Sequence, residues 1–353
     1  MMTHSAIRSG RIRLVVVLLS MLLAIIGVTG CGGGSGLEGG GSPTAAAVRD
    51  PAERGPYGGG LTKMTFERTS KVDGTLRRLE TWIWYPASSS DGATPATDAA
   101  PAANGGPFPI VVFSHGSGGQ PSFYKYITEH LASWGFVVVA PPHPGDTSAD
   151  CFPCTGASII ASARERPADI TFVLDQITAL KDDPSQPLGK IIDPSRTALA
   201  GHSFGGWTAI FAGAGGPFDT IVSMATGQPE TLLARAGNIR VPTLLLGGGK
   251  DELIAAASMA KLYAALPADI AKTYVSFPEG HHLTFSDRCL GCSAALPEER
   301  GHELVNRFTT AFLETHVAGD ARYSHYLTED VAPDALIVHD AAATETSTGM
   351  HGP

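Results

Sequence analysis

The sequence predicts an α/β fold in which a mostly parallel central sheet is flanked by helices on both faces, and three observations carry that prediction. Residues 108–113, 135–140, 196–200 and 241–246 are short, almost continuously apolar runs, the composition of strands buried on both faces. Each run breaks into a glycine- or proline-rich segment, at 114–119, 141–147, 201–206 and 247–249. The intervals between the later runs leave room for a helix and a strand, as parallel connections require.

The N-terminus reads as a targeting segment. Arg8, Arg11 and Arg13 precede residues 14–28, an apolar run interrupted only by Ser20 and too short for an ordinary membrane span. It ends in Val28-Thr29-Gly30-Cys31, which resembles the lipobox of bacterial lipoproteins, where the cysteine is lipidated and becomes the mature N-terminus. The plainer alternative is a cleaved signal peptide with a chance cysteine. Residues 1–30 are therefore assigned to a signal peptide and 31–60, with their glycine- and serine-rich start, to a lipid-bearing flexible tether. A catalytic domain over 61–334 follows, with 88–107, rich in Ser, Ala, Pro and Gly, as a disordered loop inside it, and 335–353 as a loose tail.

Within the domain, the strand at 108–113 runs into Ser114-His115-Gly116-Ser117-Gly118-Gly119. A His-Gly-x-Gly loop after a buried strand offers backbone N–H groups to a developing oxyanion. The N–H of Ser117 is one expected donor. His115 is expected to pack the loop rather than act as a base. Phe123 and Tyr124, just beyond, are candidates for a substrate wall, although aromatics at a helix start are also common core residues. After the strand at 135–140 comes the first of two Cys-x-x-Cys pairs, Cys151 and Cys154. A helix over about residues 167–181 reads as the crossover to the next strand, and no long amphipathic insertion reads as a large lid.

The residues after 196–200 are Gly201-His202-Ser203-Phe204-Gly205-Gly206, a G-x-S-x-G element between a strand and a helix-like run. Such a turn pushes a serine hydroxyl out of the sheet, and small neighbours are needed because side chains there would crowd the backbone. Ser203 is the candidate nucleophile and the N–H of Phe204 the second expected oxyanion donor. A serine hydroxyl needs a base to take its proton and an acid to orient the base. Asp251 lies 48 residues beyond Ser203 and His282 lies 31 beyond Asp251, each after a strand-like run. Glu252 and His281 are the adjacent alternatives, which spacing alone does not separate.

These segments, with Pro142-His143-Pro144-Gly145-Asp146-Thr147 and His282-Leu283-Thr284-Phe285, resemble the α/β-hydrolase group that contains predicted dienelactone hydrolases, platelet-activating-factor acetylhydrolases and polyester hydrolases. The resemblance covers roughly residues 60–325. It implies an α/β-hydrolase fold, an oxyanion N–H at the residue after His-Gly, which is Ser117, and a base followed three residues on by Phe, which favours His282 because of Phe285. Dienelactone hydrolases proper use a cysteine nucleophile, whereas this chain has Ser203. The reading is therefore a serine esterase without a cofactor, acting on a small-molecule ester. Phospholipid acetylhydrolase and polyester hydrolase are the nearer alternatives, and a non-catalytic lipoprotein binding module the distant one.

The second pair, Cys289 and Cys292, follows the proposed base. Four cysteines could hold zinc, but outside the cytosol thiols oxidise, so disulfides are expected and no metal. Bridges between the two pairs would close the larger ring and restrain the unfolded chain more, which favours them over bridges within each pair. A net charge of −9 over 353 residues, with no basic cluster beyond the N-terminus, argues against nucleic acid as a partner, and no P-loop, dinucleotide fingerprint or internal repeat is present. Nothing in the sequence assigns an oligomeric state.

Overall fold

A computed structural model of the chain describes residues 48–339 apart from 89–93, 152, 228 and 289–293. Ten strands form one sheet: β1 (Gly58–Thr69), β2 (Leu76–Ala87), β3 (Ala96–Thr97), β4 (Phe108–Ser114), β5 (Val137–Ala140), β6 (Ile192–His202), β7 (Thr220–Met224), β8 (Thr243–Gly248), β9 (Lys272–Phe277) and β10 (Leu336–His339). The α-helices are α1 (Lys125–Ser133), α2 (Gly156–Ala179), α3 (Phe204–Gly213), the short α4 (Leu233–Ala236), α5 (Ala256–Ala265) and α6 (Glu298–Leu313). Strand order is β10-β9-β8-β7-β6-β4-β5-β2-β1-β3. The contacts from β5 to β9 are parallel, while β2 on β5, β1 on β2 and β10 on β9 are antiparallel.

Parallel strands present alternate side chains to two covered faces, so both must be apolar. In β4, Ile110 and Val112 pack with Ile170 and Val173 of α2 and Ile210 of α3, whereas Val111 and Phe113 pack with Ile127 of α1 and Phe308 and Phe312 of α6. The winding reverses at β4: β5 lies on one side of it and β6 on the other. Loops after β4 and β6 therefore diverge and leave a crevice at the carboxyl ends of the strands, the usual ligand position in such sheets. This is an α/β-hydrolase fold.

Four expected boundaries shift. The tether assigned to 31–60 is already held from residue 48, because His130 Nε2 donates to the Pro51 carbonyl at 2.9 Å, Trp134 Nε1 to that of Glu53 at 2.8 Å, and the Gly55 N–H to Ser133 Oγ at 2.9 Å. Residues 94–107 are ordered rather than loose: β3 pairs with Gly60 and Leu61, and the Ser88 N–H meets the Ala100 carbonyl. The expected tail begins with β10, which satisfies the outer edge of β9. The signal segment, Cys31, 89–93 and 340–353 lie outside the described residues. The crossover helix α2 also begins well before Pro167, with Thr155 as its N-cap accepting from the Ser158 N–H at 3.3 Å.

That early start brings charge under the sheet. Ser162, Arg166 and Asp169 share the inner face of α2 with Ile170 and Val173, and all three are buried. Arg166 is fully buried; it donates to Asp146 Oδ2 through Nη2 at 2.9 Å and Nε at 3.1 Å, and to the carbonyl oxygens of His115 at 2.6 Å and Gly116 at 3.3 Å. Asp169 binds Arg77 at 2.8 Å and His143 Nδ1 at 3.0 Å and pairs with Arg68. Burial alone would raise the Asp169 carboxyl, but His143 and Arg77 pull it down to about 2. Its contribution to stability is thus complete above the ordinary carboxylate value near 4 and disappears as pH falls through about 2.

Breaking the Arg166–Asp146 pair leaves a buried carboxylate without its counter-ion. Arg166→Met is expected to cost about 3–5 kcal/mol of unfolding free energy in urea titration, and the double variant Arg166→Met/Asp146→Asn to recover part of it. A single-variant midpoint equal to that of the parent would overturn this account.

Candidate active site

The elbow forces close backbone approach. A Cβ on Gly205 would sit 1.9 Å from the Ser114 carbonyl oxygen, and one on Gly201 would sit 2.3 Å from the Gly205 carbonyl oxygen. Only glycine fits at either place. Ser203 between them has φ 55° and ψ −117°, a conformation of order 1–3 kcal/mol above the allowed regions for a residue with a side chain. The turn persists because its peptide groups are tied: the Ser203 N–H donates to the Met224 carbonyl at 2.8 Å, and the Ser203 carbonyl accepts from Gly227 at 2.8 Å and Trp207 at 3.0 Å.

The Ser203 hydroxyl lies 2.9 Å from His282 Nε2, and His282 Nδ1 lies 2.8 Å from Asp251 Oδ2. Asp251 is fixed by its other oxygen, which accepts the N–H groups of Leu253 at 2.8 Å and Ile254 at 2.7 Å. The carboxylate can only accept, so the geometry assigns the proton to His282 Nδ1 and leaves Nε2 to accept from the serine. Glu252 and His281 do not join this line: their side chains face each other at 3.5 Å on the surface side, 58% and 26% exposed.

The direction of two N–H groups near the elbow follows from peptide geometry. A trans peptide points its N–H opposite its C=O. The Gly116 carbonyl is held inward by Arg166, His115 Nδ1 and the Gly119 N–H, so the Ser117 N–H of the same peptide points outward. The Ser203 carbonyl is held by Gly227 and Trp207, which turns the Phe204 N–H the other way. Among the described residues neither N–H has a hydrogen-bond partner. The Ser117 hydroxyl and the Gly118 N–H bind Asp146 Oδ1 at 2.7 and 3.0 Å, which fixes the loop from below. His115 is buried, its Nε2 accepting from the His143 N–H at 3.1 Å; burial pushes its imidazole well below the ordinary value, consistent with packing rather than proton transfer.

Phe123 borders the cleft. Tyr124 borders it too, but it is only 3% exposed and its hydroxyl works inward. The Gly116 N–H donates to that oxygen at 2.8 Å, and the hydroxyl donates to His202 Nδ1 at 3.0 Å. His202 Nε2 in turn donates to the His282 carbonyl at 3.0 Å. Burial, and secondarily the neighbouring His282, push the His202 imidazole well below its ordinary value, so it stays neutral and keeps this donor order. One buried line of hydrogen bonds thus joins the oxyanion-side loop, the elbow and the loop that carries His282. Sequence reasoning passed over His202 as a free position of the G-x-S-x-G pattern, and over Arg166 entirely. The available signal was a charged residue on the apolar stripe of a crossover helix.

The cysteines differ from expectation. Cys151 and Cys154 are bridged to each other, with Cα atoms 4.8 Å apart, instead of reaching the second pair; Cys289 and Cys292 lie outside the described residues. Once α2 starts at Gly156, the tight loop before it brings the two sulfurs together locally. Asp146 and the two sulfurs cluster within 4.8 Å, but bridged sulfurs offer no thiolate to a metal.

The cleft above Ser203 has a volume of about 510 Å³ and is lined mainly by the 116–120 loop, Phe123, Ser148, Leu253, Leu283 and Arg288. A sequence model of PET hydrolase-like proteins matches residues 85–346. The chain belongs to the PET hydrolase-like family. It is 25% identical over 218 residues to cutinase 2 of Thermobifida cellulosilytica, covering 62% of this chain and 71% of that protein. The same figures hold for cutinase cut1 of Thermobifida fusca, except that 59% of that protein is covered, so this chain spans less than two thirds of its length. A platelet-activating factor acetylhydrolase of Cavia porcellus is 27% identical over 150 residues, 33% of this chain and 34% of that one. The chain is a carboxylic ester hydrolase. Among the described residues no helix is long and apolar enough to cross a membrane.

Removing the Tyr124 hydroxyl strands the Gly116 N–H and His202 Nδ1 while sparing the serine and its base. Tyr124→Phe is expected to lower kcat about tenfold for a short activated ester with KM changed less than about threefold, alongside a loss of about 1–3 kcal/mol in stability. Unchanged kcat in a folded Tyr124→Phe protein would remove this tyrosine from the positioning of the loops.

Proposed function

We propose that this protein is an exported, lipid-anchored serine carboxylic-ester hydrolase that works on short-chain or accessible esters through Ser203, His282 and Asp251. The observation that carries the reading is the continuous line from Ser203 Oγ to His282 at 2.9 Å and on to Asp251 at 2.8 Å, beside two N–H groups without a hydrogen-bond partner among the described residues. Ser203 Oγ attacks the ester carbonyl while His282 Nε2 takes its proton. Negative charge gathers on the former carbonyl oxygen and is met by the N–H groups of Ser117 and Phe204. Collapse expels the alcohol, which receives the proton from His282, and leaves an acyl-Ser203. Water, deprotonated by the same imidazole, releases the acid. Asp251 holds the ring in the productive tautomer and stabilises the imidazolium.

A polyester is the second substrate reading, and the family match together with the cutinases among its relatives favours it. Leu253, 69% exposed at the cleft edge, leaves room for a chain that continues beyond the reacting ester. Anchoring rests on the sequence: the arginines before residues 14–28 and Cys31 after them.

Ser203→Ala and His282→Ala are each expected to reduce turnover of an activated butyrate ester by at least about a thousandfold, whereas His281→Ala retains most of it. A dead His281→Ala with an active His282→Ala would reverse the choice of base. Across acyl lengths, turnover should fall from acetyl or butyryl to palmitoyl without a jump on micelle formation, since a cleft of this size buries only a short chain; an optimum at palmitoyl contradicts the open-cleft reading. For the anchor, Cys31→Ser should lose incorporation of labelled fatty acid. An intact mass showing an unmodified mature N-terminus in the parent rules lipidation out.

A further inference from the structure

Among the described residues that line the cleft, Arg288 is the only permanently charged side chain. Its guanidinium lies over the Phe123 ring, 4.2 Å from the centroid, and among the described residues it has no carboxylate partner. Stacking occupies one face of the guanidinium and leaves its N–H edges free, the arrangement suited to paired bonds with an acid group.

The backbone beneath it is held against the opposite cleft wall. The Asp287 N–H donates to the Phe123 carbonyl at 2.8 Å, and the Asp287 carboxyl accepts the N–H groups of Lys125 at 2.5 Å and Tyr126 at 3.3 Å. The neighbouring acid is thus turned to the start of α1, and burial raises its carboxyl above the usual range. The Arg288 N–H is itself bound by Ser286 Oγ at 3.2 Å. An arginine so seated loses less conformational freedom on binding than a free surface one.

We propose that Arg288 is a specificity residue that selects esters bearing a second, ionised acid group, a carboxylate or a phosphate, away from the scissile bond. Half-esters of dicarboxylic acids and the acid-ended fragments released from a polyester have that chemistry. The net charge of −9 sharpens the argument, because an anionic substrate has to overcome the general field of the protein to enter and a local cation at the rim offsets it. The proposal rests on the serine esterase reading of the same cleft, with Arg288 contributing binding rather than chemistry.

The test uses the full mature protein and three esters of similar size: monoethyl adipate, diethyl adipate and ethyl 4-phosphonobutanoate. In the parent, KM for the two anionic esters is expected to lie below that for the diester. Arg288→Gln should raise KM for the anionic esters about fivefold, with kcat and the diester KM within about twofold, and Arg288→Lys should restore part of the difference. Loss confined to one anionic ester identifies which acid group the site takes. Added salt should shrink the preference. Equal effects of Arg288→Gln on charged and neutral esters, or a parent that prefers the diester, would overturn the proposal. Binding of monoethyl adipate to Ser203→Ala, measured by calorimetry with and without Arg288→Gln, reads the same preference without turnover. A protein that binds the half-ester through Arg288 yet hydrolyses none of the three keeps this inference and loses the esterase assignment.

Discussion

Beneath the cleft, the guanidinium of Arg166 is closed off from water and must spend every donor on the protein. A buried cation of this kind costs several kcal/mol unless a counter-ion and further acceptors surround it. Asp146 supplies the charge, and the carbonyls of His115 and Gly116 supply the acceptors. Because those carbonyls must face inward, the Ser117 N–H on the other end of the Gly116 peptide must point outward, at a residue that lines the cleft. The electrostatic demand of one core residue therefore sets the direction of that N–H. Asp146 completes the arrangement by holding Ser117 and Gly118 through its other oxygen.

The elbow depends on this loop as much as on its own glycines. Gly205 clears the Ser114 carbonyl only because neither partner moves, and Ser114 is fixed at the end of β4 by the His143 and Arg166 contacts to its hydroxyl. The strained Ser203 conformation is thus sustained from two sides. On the far side, the line from Gly116 through Tyr124 and His202 to the His282 carbonyl sets the height of the His282 loop relative to both. Three loops from different strands behave as one unit because neutral, buried groups with a single possible donor order connect them. Low dielectric strengthens each of these bonds and makes an unpaired member expensive.

The cleft itself is assembled from less constrained parts. Leu253 stands open at the edge of the cleft that Ser203 lines, while Phe123 and Arg288 hold each other across the rim. His282 and Asp251 are buried and tied, whereas Leu253 and Arg288 at the rim are exposed.

The chain by itself determined the kind of fold and the order of the chemistry. Apolar runs ending in glycine, a serine between two glycines, and an acid and a histidine after later strands are local patterns, legible because backbone crowding and strand burial act on neighbours in sequence. Spacing alone left Asp251 beside Glu252 and His282 beside His281, with only the resemblance through Phe285 favouring His282; the tertiary structure brings Asp251 and His282 into line with Ser203. Adjacent side chains leave the backbone in different directions, and the loops after β8 and β9, on the β7 side of the elbow strand, turn Asp251 and His282 toward Ser203. The same holds for Arg166, Asp146 and His202, whose roles come from contacts across 20 to 80 residues of sequence. The cysteines show the limit of a ring-size argument: the larger ring favours itself through the unfolded state, but a bridge forms only where the folded loop brings two sulfurs within reach, and here that was within one short loop.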